Sequence, residues 1–299
     1  MGKTLLLQTL IFIICLISLK TPVMAGEAVD FGRVTASQSI VVARNMMVTI
    51  PVSCGGVMIE SSYGLINSQN HDKIPRERMM LLWSNKTIPL DEPRVFIDFK
   101  GLSQTAPVNL KLNLELRPID RPGCYTGEIL LKYWKLNPEN PDRKQWLSES
   151  PVSIPVKVSI EAWVNLQSDI PLLKLESIIF HGNRDLQSSE PLNLKVASNT
   201  DWIIYLDLYG TAEVNLPLAI KTSGGQASGY RGIEQMGIGL FQSRKPVAAG
   251  APTVNEKQYW CKVPVNVSVN DFAKCPAGIY KFKLHFTGEI YDAKSAVNF

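Results

Sequence analysis

Charge of one sign never accumulates in this chain. Its 299 residues carry 31 Lys and Arg against 27 Asp and Glu. No block of five like charges occurs, which leaves no footing for a nucleic-acid groove or an acidic tail. Histidine is scarce: His71, His181 and His285 lie far apart, without metal-ligand spacing. No Cys-x-x-Cys is present, which removes the common zinc and thioredoxin-type patterns. A Gly-x-Ser-x-Gly elbow is missing, and the glycine-rich stretch Gly224 to Gly239 lacks the Lys-Ser/Thr of a phosphate loop. Its glycines read as hairpin turns. Long amphipathic helical stretches are also lacking. The sequence therefore assigns no catalytic residue, no metal ligand and no cofactor.

One apolar run stands out, and it is short. Leu5 to Leu19 follows the cationic start Met1-Gly2-Lys3 and is apolar apart from Gln8, Thr9 and Ser18. A membrane-spanning helix needs about 20 apolar residues. Pro22 breaks the run, and Val23 and Ala25 supply suitable residues at −3 and −1. Residues 1–25 thus read as a secretory signal peptide cut after Ala25, with an uncleaved anchor as the other reading. Cys15 follows Ile14 rather than a small residue, which argues against lipidation. No later segment is apolar enough to span a membrane. The expected location is outside the cytoplasm.

Four cysteines remain after the signal: Cys54, Cys124, Cys261 and Cys275. An even count in an exported chain suggests disulfides, and four cysteines allow three connectivities. One pair falls in each half, which favours Cys54–Cys124 and Cys261–Cys275, each contributing about 3–4 kcal/mol on a loop-entropy argument. Free buried thiols are the alternative.

What the mature chain has in abundance is period-two patterning. Hydrophobic residues make up 45% of the sequence and charged residues 19%, enough for a packed core. Val108 to Leu116 alternates apolar and polar without a fault, and Val152 to Val164, Leu192 to Val196 and Val263 to Val269 repeat the habit. Such strands bury one face and wet the other. Further strands are expected at Ile40–Val52, Val57–Glu60, Met79–Trp83, Val95–Phe99, Tyr125–Trp134, Leu172–Phe180, Trp202–Leu208, Val214–Lys221, Ile233–Phe241 and Tyr280–Ile290, with a short helical turn near Ile74–Met80. Many short strands punctuated by Pro and Gly predict an all-β fold of sandwich type.

A faint repeat divides the chain. Pro107-Val108-Asn109 opens an alternating strand and Pro122-Gly123-Cys124-Tyr125 opens the next. Pro264-Val265-Asn266 and Pro276-Ala277-Gly278-Ile279-Tyr280 do the same, 157 residues later at the first proline and 155 at the tyrosines. The two tyrosines suit a sheet corner, with the ring inside and the hydroxyl on backbone. The repeat predicts two tandem immunoglobulin-like sandwiches, residues 26–166 and 167–299, joined near Leu166–Asp169.

In the first half, Pro122-Gly123-Cys124-Tyr125-Thr126-Gly127-Glu128-Ile129, a polar connection from Asn137 to Ser150, and then Ile154-Pro155-Val156-Lys157-Val158 resemble the final hairpin of bacterial immunoglobulin-like domains. In the second half the equivalent strand is Tyr280 to Ile290, and only Tyr291 to Phe299 follow it. If the halves are homologous, the second sandwich lacks its last strand. An open edge of this kind invites pairing with another chain. In plan the chain resembles the chaperone–usher fimbrial subunits, and more closely their two-domain tip adhesins. That resemblance implies an N-terminal binding domain and a C-terminal pilin domain. The pilin domain's missing strand comes first from a chaperone and then from a neighbouring subunit. Two features depart from the family. Phe299 is terminal rather than next to last, and Cys261 and Cys275 lie late in their half. A surface protein built of immunoglobulin-like modules fits the same features, and a swapped first strand could also close the sheet.

For ligand contact, the polar connection offers Arg143, Lys144 and Trp146. An exposed Trp beside cations can stack on a sugar or dock a protein, and a Trp capping the core is the bland alternative. The expectation is a noncatalytic exported surface or fimbrial structural or adhesion protein. Its expected partners are other protein subunits through strand addition, with a surface glycan or protein as ligand. A periplasmic pilus-assembly chaperone and a secreted carbohydrate-binding or carbohydrate-active protein are the competing readings.

Overall fold

Val108 to Leu116, the most regular alternation in the sequence, becomes a strand with Leu110, Leu112, Leu114 and Leu116 buried and the residues between them turned away. The same logic governs the rest. The computed structural model describes residues 27–51, 54–61, 64–83, 86–98, 107–136, 144–147, 150–169, 175–177, 186–188, 191–210, 218–234, 236–238, 244–269 and 282–291. Regular structure among them is strand, apart from short 310 turns at Arg76–Arg78 and Gln226–Ser228. The first of these is the turn expected near Ile74–Met80.

Contacts divide the chain into two units. The first takes the residues up to Val34, then Ile40–Leu116 and Gly123–Ser159. The second takes Thr35–Ser39, Arg117–Pro122 and everything from Ile160 onward.

The strands of the first unit are β1 (Val29–Val34), β2 (Ile40–Thr49), β3 (Gly56–Ser61), β4 (Leu65–Asn67), β5 (Lys73–Ile74), β6 (Met79–Trp83), β7 (Lys86–Pro89), β8 (Arg94–Asp98), β9 (Pro107–Leu116), β10 (Gly123–Leu136), β11 (Lys144–Trp146) and β12 (Val152–Ile160). The larger sheet has the order β1-β12-β10-β3-β8, with β4 and β11 also on β10 and β5 on β4. The smaller has the order β2-β9-β6-β7. Val57, Ile97 and Leu131 from the first sheet and Val48, Val108 and Leu110 from the second line one small interior space, so the two sheets face each other across a shared core.

The second unit contains β13 (Val164–Ser168), β14 (Leu175–Ser177), β15 (Leu186–Ser188), β16 (Leu192–Ser198), β17 (Trp202–Gly210), β18 (Leu218–Thr222), β19 (Tyr230–Gly232), β20 (Met236–Ile238), β21 (Lys245–Gly250), β22 (Cys261–Val269) and β23 (Phe282–Ile290). One sheet runs β13-β16-β22-β15-β14, with β18 on β22 and β20 on β18. The other runs β19-β21-β17-β23. Leu192, Leu194 and Val196 of β16 and Val263, Val265 and Val267 of β22 pack against Trp202, Ile204, Leu206 and Leu208 of β17 in a single buried cluster.

The alternation read as one strand from Val152 to Val164 is broken. β12 ends at Ile160, and β13 begins at Val164 in the other unit. The break is held by a buried polar knot on Asn199, wholly within the second unit. Its Oδ1 accepts the Trp163 N–H at 3.0 Å, and its Nδ2 donates to Asp120 O at 3.1 Å and Glu161 O at 3.2 Å. Beside it Trp163 stacks on Tyr259, ring centroids 6.1 Å apart, and the Tyr259 hydroxyl donates to Ser37 O at 2.5 Å. A strand signal based on period alone cannot see such partners.

Candidate functional site

The repeat places its two consecutive strands alike in both units. In each unit they lie in different sheets: β9 and β10 in the first unit, β22 and β23 in the second. The neighbours differ. β10 has β3 on one flank and β12 on the other, and its inward Ile129, Leu131 and Tyr133 are buried. β23 pairs with β17 along its whole length, from Phe282 opposite Gly210 to Ile290 opposite Trp202. Among the described residues no strand lies on its other flank.

That flank is where the second core is thinly covered. Phe282, Leu284 and Phe286 point inward from β23, and Val164 and Leu166 from β13. All five pack against the buried cluster yet remain half-buried themselves. At one end the two strands meet. A side chain at Gly288 would lie 3.2 Å from Leu166 Cβ and 3.3 Å from Val164 Cγ1, so the glycine lets β13 approach. Backbone N–H and C=O groups on an unpaired strand edge cost free energy unless they find partners.

Of the candidate ligand residues, Arg143 lies outside the described residues. Lys144 and Trp146 belong to β11, a short strand paired to β10 with Trp146 opposite Trp134. All three residues of β11 are exposed, so no periodicity marked it as strand. Trp146 is 40% exposed and does not cap the core. Lys132 Nζ lies 4.9 Å from its ring centroid. Lys144 Nζ lies 4.2 Å from the ring of Phe96 and 4.5 Å from that of Trp134. Phe96 is itself 49% exposed. Sequence reasoning missed Lys132 and Phe96. Both sit on regular strands, and only the pairing of β3 with β8 and β10 brings them onto one outer face.

The expected Cys54–Cys124 bridge does not form. Cys54 Sγ lies 3.0 Å from Gly56 O and 3.5 Å from Trp134 O, near one end of β10. Cys124 stands near the other end of the same strand, roughly 30 Å away at the rise of an extended chain, and a disulfide tolerates about 7 Å between Cα atoms. Cys54, Cys124 and Cys261 are free thiols. Burial pushes the Cys54 and Cys261 thiols above their ordinary range. Cys275 lies outside the described residues, as does His181. His71 occupies a turn with φ +61°. His285 is exposed on β23, its Nδ1 3.8 Å from Asp207 Oδ2.

The architecture is therefore all-β, with two sheets to each unit. No protein-family model matches the sequence, and no curated protein does. Among solved structures, the chain is similar to a chaperone–tip adhesion subunit pre-assembly complex from archaic chaperone–usher Csu pili of Acinetobacter baumannii, at 12% identity over 89% of this chain and 99% of that chain, with a TM-score of 0.34. It is also similar to a chaperone–tip adhesin complex of CFA/I fimbriae biogenesis, at 10% identity over 90% and 97%, with a TM-score of 0.31. A third similarity is to the CooA pilin subunit from enterotoxigenic Escherichia coli, at 16% identity over 44% and 92%, with a TM-score of 0.27. Identity and TM-score are low in all three.

Proposed function

We propose that this is a noncatalytic, exported surface or fimbrial protein: its first unit binds a ligand, and its second unit accepts a strand from a partner subunit beside β23. One observation carries the reading. The inward residues of β23 are half-buried where those of the equivalent strand β10, flanked by β12, are closed over. An extended segment laid along β23 would pair with its outer N–H and C=O groups. Apolar side chains at alternate positions would cover Phe282, Leu284, Phe286, Val164 and Leu166.

Because Thr35–Ser39 and Arg117–Pro122 belong to the second unit, the test uses the whole mature chain rather than a fragment. Thermal unfolding and protease resistance are measured with and without a synthetic ten-residue peptide carrying apolar residues at alternate positions. The reading expects a saturable rise in Tm and slower proteolysis. A peptide with the same composition but broken alternation should do neither. A protease-resistant monomer that no alternating peptide stabilises would overturn it.

A further inference from the structure

The outer face of the first unit's larger sheet holds a concavity of about 330 Å³. Its floor is apolar, made by Met58 of β3 and Leu130 of β10, and Trp146 and Pro151 form one wall. The rim is charged. Lys132 stands over the Trp146 ring, and across the floor Arg94 Nε lies 3.7 Å from Glu60 Oε2. That ion pair is largely exposed and therefore weakly held. One strand over, Phe96 lies opposite Met58 in the register, with its exposed ring beneath Lys144.

We infer that this concavity binds one residue of a uronate-containing polysaccharide. The inference deepens the ligand-binding half of the function proposed above and does not depend on the strand-accepting half. A pyranose presents a C–H face that packs on Trp146 and the apolar floor. Its ring carboxylate meets Lys132 and the Arg94 guanidinium in charge-assisted hydrogen bonds. Glu60 carries acceptors alone when ionised and is matched by sugar hydroxyls. A neutral sugar leaves the rim with one cation in excess, since Glu60 offsets Arg94 alone. An acidic peptide segment supplies the anion but not on a ring whose C–H face stacks on Trp146. The exposed Phe96 continues the platform across the strands, which suits an internal residue of a polymer, flanked by a second ring, better than an isolated terminal sugar.

The test is calorimetric titration of the full mature chain with oligogalacturonate, with its methyl ester as a neutral analogue of the same shape, and with sialyllactose as a terminal acidic sugar. Oligogalacturonate should bind, more weakly as salt is raised, and the methyl ester and sialyllactose should not. Trp146→Ala and Lys132→Gln should each weaken binding about tenfold or more. Trp146→Phe should recover part of the loss, and the Tm of all three variants should stay unchanged. Equal binding of the ester, binding of sialyllactose alone, no binding, or affinity indifferent to Trp146→Ala would each overturn the inference. Peptide stabilisation, read on the same preparation, separates failure here from failure of strand acceptance.

Discussion

Gly56 and Trp134 are cross-strand partners on β3 and β10, and the indole fills the space a side chain at 56 would need. A Cβ there would come within 2.6 Å of Trp134 Cε2, and closer still to Cζ2 and the Ile97 carbonyl. Gly56→Ala should therefore destabilise the first unit by about 1–3 kcal/mol, the range for overpacking, and shift the tryptophan fluorescence. Trp134→Phe tests a different property of the same ring. Its Nε1 is buried with no hydrogen-bond partner, so the lost donor itself costs nothing and the smaller ring's lost packing should set the loss, about 1–3 kcal/mol. Urea denaturation of both variants checks the pair.

Asn199 predicts a larger loss in the second unit. One side chain satisfies an N–H and two carbonyls from two separate stretches of chain, at 120 and at 161–163. Asn199→Ala should cost about 2–4 kcal/mol, since buried groups are left unpaired. Asn199→Asp should be at least as harmful near neutral pH. A carboxylate keeps the acceptor for Trp163 N–H but turns an oxygen toward the Asp120 and Glu161 carbonyls. Far-UV circular dichroism during chemical denaturation would rank the two variants.

The contrast between such residues and the strands explains what the sequence could disclose. Leu110, Leu112, Leu114 and Leu116 announce their strand because burial on one face is a local, periodic signal. Asn199 announces nothing, because its partners at positions 120, 161 and 163 are distant or lie across a break in the alternation. The cysteine pairing failed for a related reason. An even count and one pair per half say nothing of the length of β10, which holds Cys54 and Cys124 apart. The half-buried row on β23 was visible as an alternating segment. Its thin cover became visible only when β10, with β12 beside it, supplied the comparison.

Burial of the thiols gives a pH prediction. Cys54 and Cys261 are held above their ordinary range by desolvation, and Tyr133, Tyr230 and Tyr259 are raised by the same cause. The folded state keeps these protons longer than the unfolded chain does. Their contribution to stability is thus complete at neutral pH and is lost as pH climbs through the thiol and then the phenol range, from about 8.5 to beyond 10. Urea midpoints should fall steadily over that interval. At about pH 8, iodoacetamide should modify the half-buried Cys124 well before Cys54 or Cys261. Peptide mapping without reduction should find no Cys54–Cys124 crosslink.

Leu131 and Leu284 both point inward, from β10 and β23, one closed over and the other half-buried. Leu131→Ala should cost about 3 kcal/mol, as for a fully enclosed leucine. Leu284→Ala in the free chain should cost about 1 kcal/mol, because part of that side chain already meets water. The difference should narrow once an alternating peptide is bound. The peptide then covers Leu284, and the alanine variant forfeits that added burial, so its Tm should rise less than that of the unaltered chain. Leu131→Ala should leave the peptide-induced rise intact. Equal peptide responses in the two variants would mean that the peptide does not lie along β23.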